Sequence, residues 1–118
     1  MRILKIEPEK VPYEKDIPNT LESIQAEVGG GLFQPLYIGG EIILCCNEEG
    51  KLNGMEPNRR LGNDIVCGPF FLVGDSESGD FVSLTDDQLA WGMETFAEPE
   101  QFTGEEPELE PWMEFYVW

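Results

Sequence analysis

Histidine is absent from all 118 residues, and neither lysine nor arginine occurs after Arg60. The first absence removes Ser-His-Asp and Cys-His nucleophile activation and every zinc site that needs an imidazole. Cysteine is scarce: Cys45 and Cys46 are adjacent and Cys67 stands alone, an odd number without framework spacing. They read as buried thiols in a reducing compartment, and three thiolates make a poor tetrahedral zinc set. Long apolar runs are missing as well. None approaches the ~20 residues that cross a bilayer, and the start Met1-Arg2 leads into no signal-peptide core, so the expectation is a cytoplasmic protein without membrane association. No basic, aromatic stripe argues for direct nucleic-acid binding. Carboxylates remain as the abundant reactive group, yet no activated nucleophile accompanies them, so neither an enzyme nor a cofactor is expected.

Negative charge is what the chain has in excess. Residues 1–60 hold ten acids against seven bases, and residues 61–118 hold fourteen acids against none, which together give the formal net charge of −17. One-sided charge of this extent repels nucleic acid and anionic membranes and attracts basic surfaces of other proteins. At 118 residues with 41 % hydrophobic content, the chain is long enough for one ordinary domain.

The pattern along the chain predicts an α+β fold: a mostly antiparallel sheet of four to six strands with two short helices packed on one face, followed by an acidic C-terminal tail. Residues 2–7 alternate partly and stop at Pro8, and residues 11–17 form a second extended piece. Asn19 has N-cap chemistry with Glu22 three residues on, and Leu21, Ile24 and Val28 share one helical face before Gly29-Gly30-Gly31 ends the helix. Residues 33–38 and 41–46 flank Gly39-Gly40 as a β-hairpin. Residues 47–63 are rich in Asn, Gly, Glu and Pro and read as a long loop. Residues 65–73 return as one apolar strand, with Gly68-Pro69 marking a bulge or an edge. Asp75, Glu77 and Asp80 lack the spacing of a calcium loop and suit a hairpin turn into Phe81-Val82-Ser83. Thr85 and Gln88 form a capping box, Leu84 staples onto Leu89, and Leu89, Met93 and Phe96 give the buried stripe of the second helix. The domain is therefore expected over residues 1–98, with residues 99–118 as an extended or strand-adding tail ending in aromatics.

Two constellations stand out. A row of carboxylates comprises Asp86, Asp87, Glu94, Glu98, Glu100, Glu105, Glu106, Glu108 and Glu110, with Trp112, Phe115, Tyr116 and Trp118 as desolvated anchors beyond it. Such a row resembles a line of phosphates and suits the basic nucleic-acid groove of another protein; the plainer account is a solvated face serving solubility. The second constellation, Lys51, Asn58, Arg59 and Arg60, offers guanidinium forks and an amide to a nucleotide phosphate; the plainer account is pairing with carboxylates and capping of turns.

The run Asn47-Glu48-Glu49-Gly50-Lys51-Leu52-Asn53-Gly54, then Pro57-Asn58-Arg59, Asp64-Ile65, Phe70-Phe71 and Ser83-Leu84-Thr85-Asp86, resembles a family of small proteins from phages and conjugative elements of Gram-positive bacteria that is catalogued only as a domain of unknown function. The resemblance covers residues 1–96 and supplies no reaction. It implies the company of mobile-element accessory proteins, among which acidic DNA mimics occur as inhibitors of host defence, of the anti-CRISPR or antirestriction type. The partner this implies is a basic host protein of the kind that binds nucleic acid, such as a nuclease. A small module that sequesters a nucleotide signal is the other reading.

Overall fold

The structure, a computed structural model, describes residues 1–100. Among them the order is β1 (Arg2–Ile6), β2 (Tyr13–Asp16), α1 (Leu21–Glu27), β3 (Phe33–Gly39), β4 (Ile42–Asn47), β5 (Pro57–Leu61), β6 (Asp64–Cys67), β7 (Phe70–Asp75), β8 (Phe81–Val82) and α2 (Asp86–Thr95). Six strands form one sheet in the order β2-β1-β7-β4-β3, with β8 paired to β7, while β5 and β6 form a separate two-stranded sheet. Every pairing is antiparallel. The expected mostly antiparallel α+β sheet is therefore present, with six strands.

Period-two alternation in the central strands decides where the helices lie. Successive side chains of a strand point to opposite faces, and β4 and β7 are apolar at nearly every position, so both faces must be covered. One apolar cluster gathers Leu4, Ile6, Ile42, Leu44, Phe70 and Leu72 with Leu84 and Phe96 from the ends of α2. The other gathers Ile3, Ile43, Cys45, Phe71 and Val73 with Ile24 and Val28 of the α1 region. The two helices thus cover opposite faces, which corrects the expectation that both pack on one. Unbroken apolar runs in β4 and β7 carried that information, because a sheet solvated on one side alternates apolar with polar.

Each helix is seated by a specific contact. On its face of the sheet, α1 is held by Lys5, whose Nζ donates to the Glu27 carbonyl and to Glu27 Oε1, both at 2.7 Å; Lys15 Nζ lies 2.8 Å from Glu27 Oε2. The cap is Thr20, whose hydroxyl accepts from Ser23 N–H, in place of Asn19, and Leu21 is exposed where burial was expected. Asn47 closes the other end by donating to the carbonyls of Val28 and Gly30. On the opposite face α2 begins with the expected capping box of Thr85 and Gln88. Its buried stripe runs through Leu89, Gly92 and Phe96, and Met93 is exposed. Gly92 is required by proximity: a Cβ there would stand 2.7 Å from Leu4 Cδ2 and 2.8 Å from Leu72 Cδ1.

The segment expected as a long loop contains β5, and the single strand expected over residues 65–73 is divided into β6 and β7. Gly68 makes the division, with φ +86° and Met55 so close that a Cβ would lie 2.5 Å from its Sδ. The β5-β6 hairpin packs Val66 and Leu61 against the cluster on the α2 side. Residues 76–80 turn β7 back into β8, as the hairpin-turn reading requires.

Candidate functional site

Seven basic residues are all the chain has, and each is engaged inside the molecule. Arg2 pairs with Asp86 at 2.9 Å, Lys5 and Lys15 share Glu27, Lys10 lies 3.7 Å from Glu7, Lys51 pairs with Asp64, and Arg60 pairs with Glu100 at 3.4 Å. Arg59 is buried, and its fork is filled by main-chain oxygens. Nε donates to Phe96 O at 3.3 Å, Nη2 to Lys10 O at 2.6 Å and to Phe96 O at 3.2 Å, and Nη1 to Asn58 Oδ1 at 2.8 Å, Asn58 O and Glu7 O. Burial lowers its pKa from the ordinary value, opposed by the Glu100 charge. Asn58 is also internal, donating to Ile6 O and Gly68 O at 2.9 Å each.

This arrangement bears directly on the proposed nucleotide grip. Asn58 and Arg59 stitch the β5-β6 hairpin to the end of β1 and to the C-terminus of α2, so their polar groups are engaged by internal oxygens. Lys51 and Arg60 point to carboxylates. The plainer account of this segment holds for Arg60, whereas Arg59 and Asn58 have a structural role that neither account anticipated.

The carboxylate row divides at the end of the described residues. Asp86 and Asp87 are exposed in the first turn of α2, where the helix dipole favours them, and Glu94 is exposed near its end. Glu98 and Glu100 follow in the extended segment, and Glu100 also accepts from the Arg60 main-chain N–H. Exposed acids occur elsewhere too, among them Glu14, Glu22, Glu48 and Glu77. Glu105, Glu106, Glu108, Glu110, Trp112, Phe115, Tyr116 and Trp118 lie outside the described residues.

What the row adjoins was not foreseen. Trp91, on α2, is 43 % exposed, and its ring meets Phe96 edge-on at 6.4 Å, while Phe96 in turn meets buried Phe70 at 5.6 Å. Trp91 and Ile38 of β3 form the wall shared by two neighbouring hollows. The larger, about 680 Å³, is bounded also by Leu61, Arg60, Glu94 and Glu98; the smaller, about 320 Å³, is bounded by Gly39, Ile42, Asp87 and Gln88. Gln88 fixes this geometry by donating from Nε2 to the carbonyls of Gly40 at 2.9 Å and Glu41 at 3.2 Å, which ties the start of α2 to the β3-β4 turn. A tryptophan flanked by Asp87 four residues before and Glu94 three residues after shares one helix surface with both acids. That spacing is present in the sequence, where the apolar stripe of α2 gives the stronger signal.

Two of the three thiols are buried as expected, whereas Cys67 is half-buried. Cys45 and Cys46 are buried on opposite faces of the sheet. Burial raises Cys45 to about 12, with Cys46 adding to it, and burial with the Asp64 charge raises Cys46 to about 11, so both are inert at neutral pH. Among the described residues no three or more Cys, Asp or Glu side chains gather as a metal site, and no helix is long and apolar enough to cross a membrane.

Fold and site together define a small α+β protein with an acid-rimmed aromatic groove and no cation left unengaged. A family model described as a domain of unknown function, DUF3846, matches residues 1–98, and the chain belongs to that family. No curated protein and no solved structure matches it.

Proposed function

We propose that this protein is a non-enzymatic inhibitor of the DNA-mimic type, an accessory of a phage or mobile element that acts in the bacterial cytoplasm. Its target on this reading is a basic, nucleic-acid-binding host defence protein. The observation that carries the reading is the fate of the cations. All seven are engaged internally and none follows Arg60; Arg2 and Arg60 are spent on Asp86 and Glu100, which leaves Asp87, Glu94 and Glu98 as the exposed carboxylates around α2 outside those pairs. Asp87 and Glu94 are separated by about 10 Å along the helix axis, within the short range over which a DNA strand repeats its phosphate charges. Exposed Glu98 continues the series after α2, and the sequence adds Glu105, Glu106, Glu108 and Glu110.

Electrostatic steering makes association fast and salt-dependent. The test is the association rate with a purified DNA-binding nuclease of the host, measured between low and high salt. A steep fall with salt is expected, reproduced at low salt by neutralising Glu105, Glu106, Glu108 and Glu110 to glutamine together. An association rate indifferent to both changes overturns the proposal.

A further inference from the structure

The groove around Trp91 supplies what a row of carboxylates alone does not, a fixed place for one particular side chain. We infer that this groove receives an arginine-bearing segment of the partner, with a guanidinium laid on the Trp91 indole and held by Glu94 and Glu98. The inference rests on the reading above and locates its specific contact.

Three observations carry it. Trp91 keeps 43 % of its surface exposed while its ring meets Phe96, a member of the apolar cluster, edge-on at 6.4 Å, so a large aromatic surface stays open beside an apolar anchor. Arginine is the side chain best suited to such a face, because its planar, weakly hydrated guanidinium stacks on indole and also forks onto carboxylates. Acids line the same hollows as the ring: Glu94 and Glu98 border the larger, where Arg59 is committed to internal oxygens and Arg60 to Glu100, and Asp87 borders the smaller. Charge complementarity also decides among occupants. Residues 101–118 carry five glutamates and no base, and a second copy brings a net charge of −17, so both meet repulsion at this rim. A cationic segment meets attraction, and Ile38 and Leu61 offer it an apolar floor.

The probe is a fluorescein-labelled peptide alternating arginine with leucine and glycine, compared with its lysine counterpart and read by anisotropy against the full chain at low salt. The expected result is binding that weakens roughly tenfold or more in Trp91→Ala, weakens comparably in Glu94→Gln/Glu98→Gln, and is several-fold weaker for lysine than for arginine. The double glutamine variant changes only exposed side chains, so it keeps the test valid if Trp91→Ala unfolds. Binding unchanged in both variants, but lost in Trp112→Ala/Trp118→Ala, moves the contact to the C-terminal aromatics and overturns this inference while the acidic-inhibitor reading stands. Equal binding of arginine and lysine peptides overturns the stacking. Absence of binding to either cationic peptide, together with salt-independent association with the nuclease, removes both readings.

Discussion

Replacing Arg59 with alanine tests the internal role of the cations most directly. The guanidinium satisfies the carbonyls of Phe96, Lys10, Glu7 and Asn58 and the Asn58 side-chain oxygen. Its contacts with Phe96 and Asn58 are buried, and those with Glu7 and Lys10 are partly buried and open to rehydration. A buried acceptor left unsatisfied costs about 1–3 kcal/mol, so the three buried ones, Phe96 O, Asn58 O and Asn58 Oδ1, set an upper loss of about 3–9 kcal/mol. Relief from the desolvation of a buried charge offsets part of it, leaving about 3 kcal/mol. For a domain of this size that lowers Tm by about 12–20 °C. The assay is urea unfolding followed by circular dichroism, with thermal melts alongside. Arg59→Lys keeps the charge but cannot span Phe96 and Lys10 from one planar fork, so it recovers less than half of the loss. A midpoint for Arg59→Ala equal to that of the parent refutes the assignment and returns Arg59 to the pool of possible ligand contacts.

Three further outcomes follow from packing and ionisation. Gly92→Leu pries α2 from Leu4 and Leu72 and destabilises by several kcal/mol, whereas Gly92→Ala combines about 1 kcal/mol of better helix propensity with an overpacking cost of about 1–3 kcal/mol; a clearly stabilised alanine variant in chemical denaturation refutes the close contact. Burial pushes the Glu27 pKa up, but hydrogen bonds from Lys15 and Lys5 and their charges outweigh it, so the folded value lies below the ordinary one. Its contribution is present above the unfolded carboxylate pKa and is lost as pH falls through the folded value, so the stability gap between parent and Glu27→Gln closes on acidification; a gap that does not change with pH counts against the pairing. Cys45 and Cys46 stay protonated in the fold to about 12 and about 11, while in the unfolded chain they ionise above about pH 8.5. Stability therefore declines above that pH by up to about 1.4 kcal/mol per pH unit for each thiol. Cys45→Ala/Cys46→Ala flattens this decline, and identical alkaline slopes in parent and variant contradict it.

Local chemistry was legible wherever a short-range pattern fixed it. The capping box of Thr85 and Gln88 and the hairpin around Gly39-Gly40 are settled by residues within a few positions of each other, and both were readable in advance. Long-range commitments were not. Pro57-Asn58-Arg59-Arg60 has the composition of a turn, yet it forms β5 because Asn58 bonds to Ile6 and Arg59 to Phe96, partners 52 and 37 residues away. Gly68-Pro69 signalled an interruption, but only tertiary packing separates a bulge from a change of sheet. The α2 stripe was misjudged by one residue because glycine carries no hydrophobic signal, although the narrow space above Leu4 and Leu72 makes Gly92 the buried position. Of the carboxylate row, the α2 portion is exposed as expected, and the Trp91 groove beside it escaped notice because a lone tryptophan on a helix usually reads as core.

Charge and stability are linked in an unusual way in this chain. Basic residues on a surface ordinarily reduce the self-repulsion of an acidic protein, and exposed ion pairs contribute little else. Here Arg59 fastens a hairpin to a helix, and Lys5, with Lys15, fastens α1 to the sheet. Arg2 draws in the start of α2 by bonding to the Leu84 carbonyl and pairing with Asp86. Arg2, Lys5, Lys15 and Arg59 thus hold elements together from within or at their seams, while Lys10 makes only a local pair with Glu7. Solubility needs only a modest net charge, whereas residues 61–118 place fourteen acids with no base among them, and only Asp64, Asp86 and Glu100 of these pair with Lys51, Arg2 and Arg60 among the described residues. A protein selected to meet a cationic surface gains association rate from each unneutralised carboxylate and specificity from one rigid aromatic face. Trp91 between Asp87 and Glu94 is the point of the described fold where those two requirements coincide.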